Sequence, residues 1–340
     1  MLADYDEIPQ EARPMVLSAM ATVATQSGAR DCLPVTRRLI EAAGQHLFEL
    51  PPDAISWDPI TPDNLAAALS EEDQRAFALE LMCLIPLADK QEDAGEISTL
   101  DAFTEAAGVK PIAVKDLDRL GDEKYKRLIF DMGRRLTSAA MGTDSRSELL
   151  RQTMRELRLK VHENKPLAHK YLELEGYPDG TLGHTFFHFY RDRGFLFPGE
   201  MHSLGEVVTR HDTLHILSGC NTDGTGEINV AGVEAGMIKG GTSSEFLVQA
   251  LQFFQTGIGF GSPVSGGYAV KSDELDPETL MLKIRTGMDM TANIFEPRWD
   301  WWAAVNQPVE QLRQELGIVG VEEVIIPTPV SPATSLDDTD

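Results

Sequence analysis

The sequence predicts an all-α chain of two helical domains. Three observations predict it. Apolar residues recur at three- and four-residue steps in one segment after another. Proline, glycine and capping residues punctuate those segments as helix stops and starts. At 340 residues, the chain is longer than one helical core comfortably fills. Hydrophobic residues at 42% and charged residues at 25% exclude wholesale disorder and supply a substantial core.

Residues 11–50 carry Met15, Ala19 and Val23, then Val35, Leu39, Ile40, Ala43 and Leu47, on helical spacing, and Pro51 and Pro52 stop the run. Pro59 to Asp63 is an extended turn feeding a helix capped by Thr61 or Asp63, and Ser70 to Asp73 starts the next. From Phe77 to Leu87 the sequence is nearly all apolar, as in a buried helix. Asp89 to Ile97 forms an acidic turn, followed by a helix through Phe103 and Ala107 that Gly108 closes. Asp89, Asp93 and Glu96 are hard oxygen donors that calcium accepts. The turn nevertheless lacks the alternating ligands and twelfth-position glutamate of an EF-hand, so a solvated helix start is the expectation. A buried helix, an acidic turn with Gly95-Glu96-Ile97 and an amphipathic helix resemble the tellurite-resistance protein B fold, over about residues 10–140.

The expected boundaries are a helical domain at 1–140, a linker helix at 141–164, a second helical domain at 165–322 and a disordered acidic tail at 323–340. Leu149, Leu150, Met154, Leu157 and Val161 make the stripe of the linker. The tail, from Pro327 through Ser335 to its final acids, has too few large apolar groups to pack. No internal repeat is visible.

Thirty basic against fifty-four acidic residues leave a net charge of -24, which repels phosphate backbones and argues against a nucleic-acid partner. Cys32, Cys83 and Cys220 are too few and too scattered for a disulfide framework or a cysteine metal knuckle. The acidic N-terminus has neither signal-peptide nor transit-peptide character, and no apolar run spans a bilayer. A cytoplasmic protein, with at most peripheral membrane contact, is expected.

Chemistry concentrates in Arg210 to Gly219. His211 and His215 stand one turn apart, about 40° around a helix, and Asp212 falls within the same arc of about 100°. After eleven residues beyond His215, across a turn containing Asn221, Thr222, Asp223 and Thr225, comes Glu227, which a hairpin of helices would set opposite the histidines. Imidazole nitrogens with carboxylate oxygens suit a first-row divalent ion. Zinc is the first expectation, with iron(II), manganese or magnesium as alternatives. A zincin peptidase shares the histidine spacing but has glutamate where Asp212 stands, and its third ligand is more remote than Glu227.

His211, Asp212, His215 and Glu227 reproduce the His-Asp-x-x-His-x11-Glu motif, and the chain here resembles the coenzyme Q biosynthesis protein 4 family. Tyr177 to Gly183, with Phe187, Phe189, Tyr190 and Arg193-Gly194-Phe195, resembles the family's upstream helix entry. Trp299-Asp300-Trp301 through Asn306 to Ile318 resembles its C-terminal helix, so the likeness covers about 165–320. The chain departs from the family in its N-terminal helical domain, in lacking a presequence and in the glycine-rich stretch from Gly257 to Pro263.

The resemblance implies a helical metal- and lipid-binding domain that acts on a prenylated aromatic acid, replacing the ring carboxylate with a hydroxyl, in contact with other quinone-biosynthesis enzymes. All four motif residues would serve metal and catalysis, with Asp212 either a ligand or a group orienting His215 or a bound water. Phe246, Leu247, Leu251, Phe254 and Ile258 would line the prenyl trough. Two other readings stand beside the enzyme: an isoprenoid-lipid binder or scaffold without catalysis, and a stress-response protein with a structural metal.

Overall fold

The computed structural model describes residues 8–88, 93–121, 162–239 and 275–321, with single residues between 145 and 154 and between 247 and 251. The expected tail, most of the linker helix, Asp89 and the Gly257 to Pro263 stretch lie outside the described residues. The regular structure among those residues is helical, and a lone antiparallel bridge between Thr181 and Pro308 takes the place of any sheet.

Helices α1 (Arg13–Ala24) and α2 (Pro34–Leu47) replace the continuous run expected over 11–50. Gln26, Ser27 and Gly28 take positive φ between them, and Pro34 opens α2 at a position where its missing N–H costs nothing. The apolar spacing on both sides is real, but it repeats within each helix and carries no mark of the turn between them. Thr61 is the cap of α3 (Pro62–Ala68), in a reciprocal capping box with Asn64. Glu71 and Gln74 form the equivalent box at the start of α4 (Glu72–Met82). The buried stretch continues from Phe77 to Ala88, but the helix ends at Met82 and hydrogen-bonded turns carry the chain on, since Pro86 lacks the N–H a further turn needs. Helix α5 (Ala94–Ala107) begins at the cap Asp93 and stops at the left-handed Gly108, and α6 (Ile112–Gly121) follows.

In the C-terminal part come α7 (Lys165–Leu172), α8 (Leu182–Arg193), α9 (Thr209–Ser218), α10 (Gly224–Met237), α11 (Pro277–Asp289), α12 (Trp301–Ala304) and α13 (Val309–Leu316). The two flanking motifs meet in space. Leu182 and Gly183 donate backbone N–H groups to Gln307 and Val305, and Val309 donates back to Gly180. A Cβ on Gly183 would lie 3.0 Å from the Val305 carbonyl, which is why the close approach uses glycine there.

Two buried clusters result, and the larger draws on both the N-terminal and the C-terminal part of the chain. The larger contains α1, almost wholly buried, and continues from α2 through Ile228, Ala231 and Ala235 of α10 to Leu280, Met281, Ile284 and Met288 of α11. His46 to Glu278 at 2.6 Å and Arg285 to Glu49 at 3.3 Å edge the same α2–α11 contact. The second cluster is aromatic, built from Tyr171, Phe186, Tyr190, Phe197 and Trp301, and receives Val230, Val233 and Met237 from the other side of α10. Helix α10 is thus buried on both sides, as its nearly all-apolar sequence requires. It packs closely against α11, with Gly236 and Gly287 each set against the other helix's backbone and Gly232 against Leu280.

Candidate metal centre

Helix α9 is fixed at both ends before it offers any ligand. Arg210 donates to the carbonyls of Phe295 and Trp299 at 2.8 and 3.2 Å, and the Trp301 indole donates to Thr213 at 2.8 Å. At its C-terminus the otherwise unsatisfied carbonyls of Ile216, Leu217 and Ser218 accept from Arg313, twice, and from Lys283, at 2.6 to 2.9 Å. These cations also sit at the negative end of the helix dipole. Gly219 ends the helix in the left-handed conformation. Asp223 then caps α10 through the Gly226 N–H, and a Cβ on Gly226 would fall 1.9 Å from the Asn221 carbonyl. This tight reversal delivers Glu227 to the face of α9.

The result is the arrangement expected of a hairpin. His211 Nε2 and His215 Nε2 lie 3.2 Å apart, and the Glu227 carboxylate lies 3.3 Å from the first and 3.5 Å from the second. One ligand atom from each of the three falls within 4.8 Å of the others, so the trio could hold a metal ion. The remaining ring nitrogens are both engaged from behind. His211 Nδ1 meets Glu234 at 2.6 Å and His215 Nδ1 meets the Cys220 carbonyl at 3.2 Å, which turns both Nε2 atoms toward Glu227. A nitrogen–nitrogen–oxygen donor set oriented this way could hold a metal ion.

Asp212 is not part of that trio. It accepts a hydrogen bond from the Tyr190 hydroxyl of α8, two helices meeting across a pair that sequence spacing did not reveal. Burial pushes the Asp212 carboxyl up, against the pull of His211 and of the Tyr190 bond. Burial and the facing Asp212 push the Tyr190 phenol far above its usual value. Within the trio, burial works against the charge on His211, but Glu234 and Glu227 hold its imidazole well above the ordinary value. Burial likewise opposes ionisation of Glu227, and the two histidines overcome it to hold the carboxylate well below its usual range. Phe189 tilts against the His215 ring at 5.9 Å, and Phe195 packs edge-on to Phe189 and Tyr190, giving the centre an aromatic side.

Of the residues expected to line a prenyl trough, Leu247 and Leu251 are fully buried in the larger cluster. Phe246, Phe254 and Ile258 lie outside the described residues. At the acidic turn, Asp93 accepts from Gln26 at 2.7 Å and caps α5, while Asp93 and the buried Glu96 both pair with Arg30. A cation is already present there, supplied by the chain. All three cysteines are free, and among the described residues no helix is long and apolar enough to cross a membrane.

Sequence reasoning missed Glu234. The signal was available, because a lone carboxylate in an apolar helix seven residues after Glu227 returns to within about 20° of the same face. The Cys220 carbonyl carried no such signal, since a backbone atom has no residue type. No protein-family model, curated protein or solved structure matches this chain.

Proposed function

We propose that this protein is a metal-dependent enzyme that removes the carboxylate of a prenylated aromatic acid and leaves a hydroxyl in its place. The observation that carries the metal half of the reading is the convergence of two imidazole Nε2 atoms and one carboxylate, with both Nδ1 atoms occupied behind them. The reaction class is supported by the His211-Asp212-x-x-His215-x11-Glu227 spacing and the family resemblance that goes with it.

His211, His215 and Glu227 would hold the ion. When bound, it supplies Lewis acidity toward a carboxylate or phenolate oxygen and, as iron(II), access to dioxygen. The chain's own residues position and exclude. Tyr190 keeps Asp212 oriented beside His211, and Phe189 and Phe195 present an apolar aromatic side suited to a ring substrate. The overall change is a two-electron oxidation, so it needs an oxidant. With dioxygen, the acid and water give the phenol, carbon dioxide and hydrogen peroxide.

The test is turnover. Protein loaded anaerobically with zinc or iron(II) is given a prenylated hydroxybenzoic acid labelled in its carboxyl carbon, and then air. Labelled carbon dioxide and the matching phenol by mass spectrometry are expected, and lost in His215→Ala. Tail-dependent binding of the acid with no product under either metal would overturn the enzyme and leave an isoprenoid binder.

A further inference from the structure

Helix α10 buries every residue from Ile228 to Met237, and all but two are apolar or glycine. One exception is Glu234, only 2% exposed. A carboxylate in such a place is costly unless a partner compensates it. Its hydrogen-bond partner among the described residues is His211, through Nδ1, at 2.6 Å. That is the length of a charge-assisted bond.

We infer that Glu234 is the positioning residue of the centre: it sets the His211 ring so that Nε2 faces the cation. This rests on the metal reading above. Glu227 and Glu234 stand two turns apart on one face of α10, and the His211 imidazole spans between them, Nε2 toward the first and Nδ1 against the second. Rotation of the ring would break the Nδ1 contact and bury an unsatisfied carboxylate. The ring is therefore held in one of its two flips before any ion arrives. His215 gets the same service from a backbone carbonyl, so its orientation survives any side-chain change nearby. Only for His211 does one replaceable side chain decide the direction of the ligand atom. Carboxylates behind metal-binding histidines fix ring orientation and strengthen the nitrogen as a donor.

Cobalt(II) is the probe, titrated in competition with a chromophoric chelator, with its visible ligand-field spectrum as a second readout. Glu234→Gln keeps a carbonyl oxygen that accepts from Nδ1–H but loses the charge. Glu234→Leu keeps bulk and loses the acceptor. Affinity is expected to fall about tenfold in the glutamine variant and nearer a hundredfold in the leucine variant, with an altered spectrum in the latter. Far-UV circular dichroism establishes that each variant is folded, and the glutamine variant alone decides the matter if the leucine variant is not. Folded variants that bind cobalt(II) with the parent's affinity and spectrum would make Glu234 structural only and overturn this inference while leaving the metal reading intact. A parent protein that takes up no cobalt(II) overturns both.

Discussion

Replacing Gly287 with alanine puts a methyl group where α11 and α10 touch backbone to backbone. The added Cβ would lie 2.1 Å from the Val233 carbonyl oxygen and 2.8 Å from the Met237 nitrogen. Ordinary contact begins near 3.4 Å, so the first of these is about 1.3 Å too close. Neither atom can swing away, because both belong to helix backbone, and the helices must part. Gly236 is the reciprocal case, with its added Cβ 2.1 Å from the Ile284 carbonyl. Gly232 differs, since its nearest neighbour is the tip of Leu280 at 3.0 Å, which can move. Overpacking costs about 1–3 kcal/mol, and an unyielding backbone contact belongs at the top of that range. Alanine's better helix propensity returns about 1 kcal/mol at all three sites. The expected net loss is about 2 kcal/mol for Gly287→Ala and for Gly236→Ala, or roughly 3 °C in Tm for a chain of 340 residues, against a change near zero for Gly232→Ala. Thermal and urea unfolding followed by circular dichroism measure it. Because α10 carries Glu227 and Glu234, the first two variants should also bind cobalt(II) more weakly. Melting of Gly287→Ala and Gly236→Ala at the temperature of Gly232→Ala would refute the close-crossing argument.

Three further outcomes are expected. In chelator-treated protein, the raised His211 contributes stability that is complete below its ordinary value of 6.5 and is lost as pH climbs through the folded value. The depressed Glu227 contributes stability that is complete above 4.5 and is lost as pH falls through its folded value. The Tm difference between parent and His211→Gln should therefore be largest between those two ordinary values and narrow toward alkaline pH; a gap that widens there contradicts the assignment. Arg30→Met removes the cation shared by Asp93 and Glu96 and should cost about 2 kcal/mol by denaturant titration. Calcium should leave the parent's Tm unchanged, whereas a calcium-dependent rise would restore that turn as a calcium site. Tyr190→Phe takes the donor from half-buried Asp212, for a loss of about 1 kcal/mol. Asp212→Asn should keep its bound metal by elemental analysis while His215→Ala loses it; metal loss in Asp212→Asn would place Asp212 among the ligands.

What the sequence determined by itself was local. The all-helical class, a cap at Thr61 or Asp63, the stop at Gly108 and the pairing of His211 with His215 all depend on residues within a turn or two of one another, where helical geometry converts spacing directly into position. Glu227 was reachable because only a short loop separates it from α9. Tertiary structure decided the rest. Tyr190 meets Asp212 across 22 positions, Arg30 meets Asp93 across 63, and Arg313 reaches the Ile216 carbonyl across 97. Such partners are chosen by how helices cross, and the glycines that set those crossings leave no charge or periodicity to read. The same holds for the core: apolar spacing says which face of a helix is buried, and packing alone says that α1 and α2 share theirs with α10 and α11.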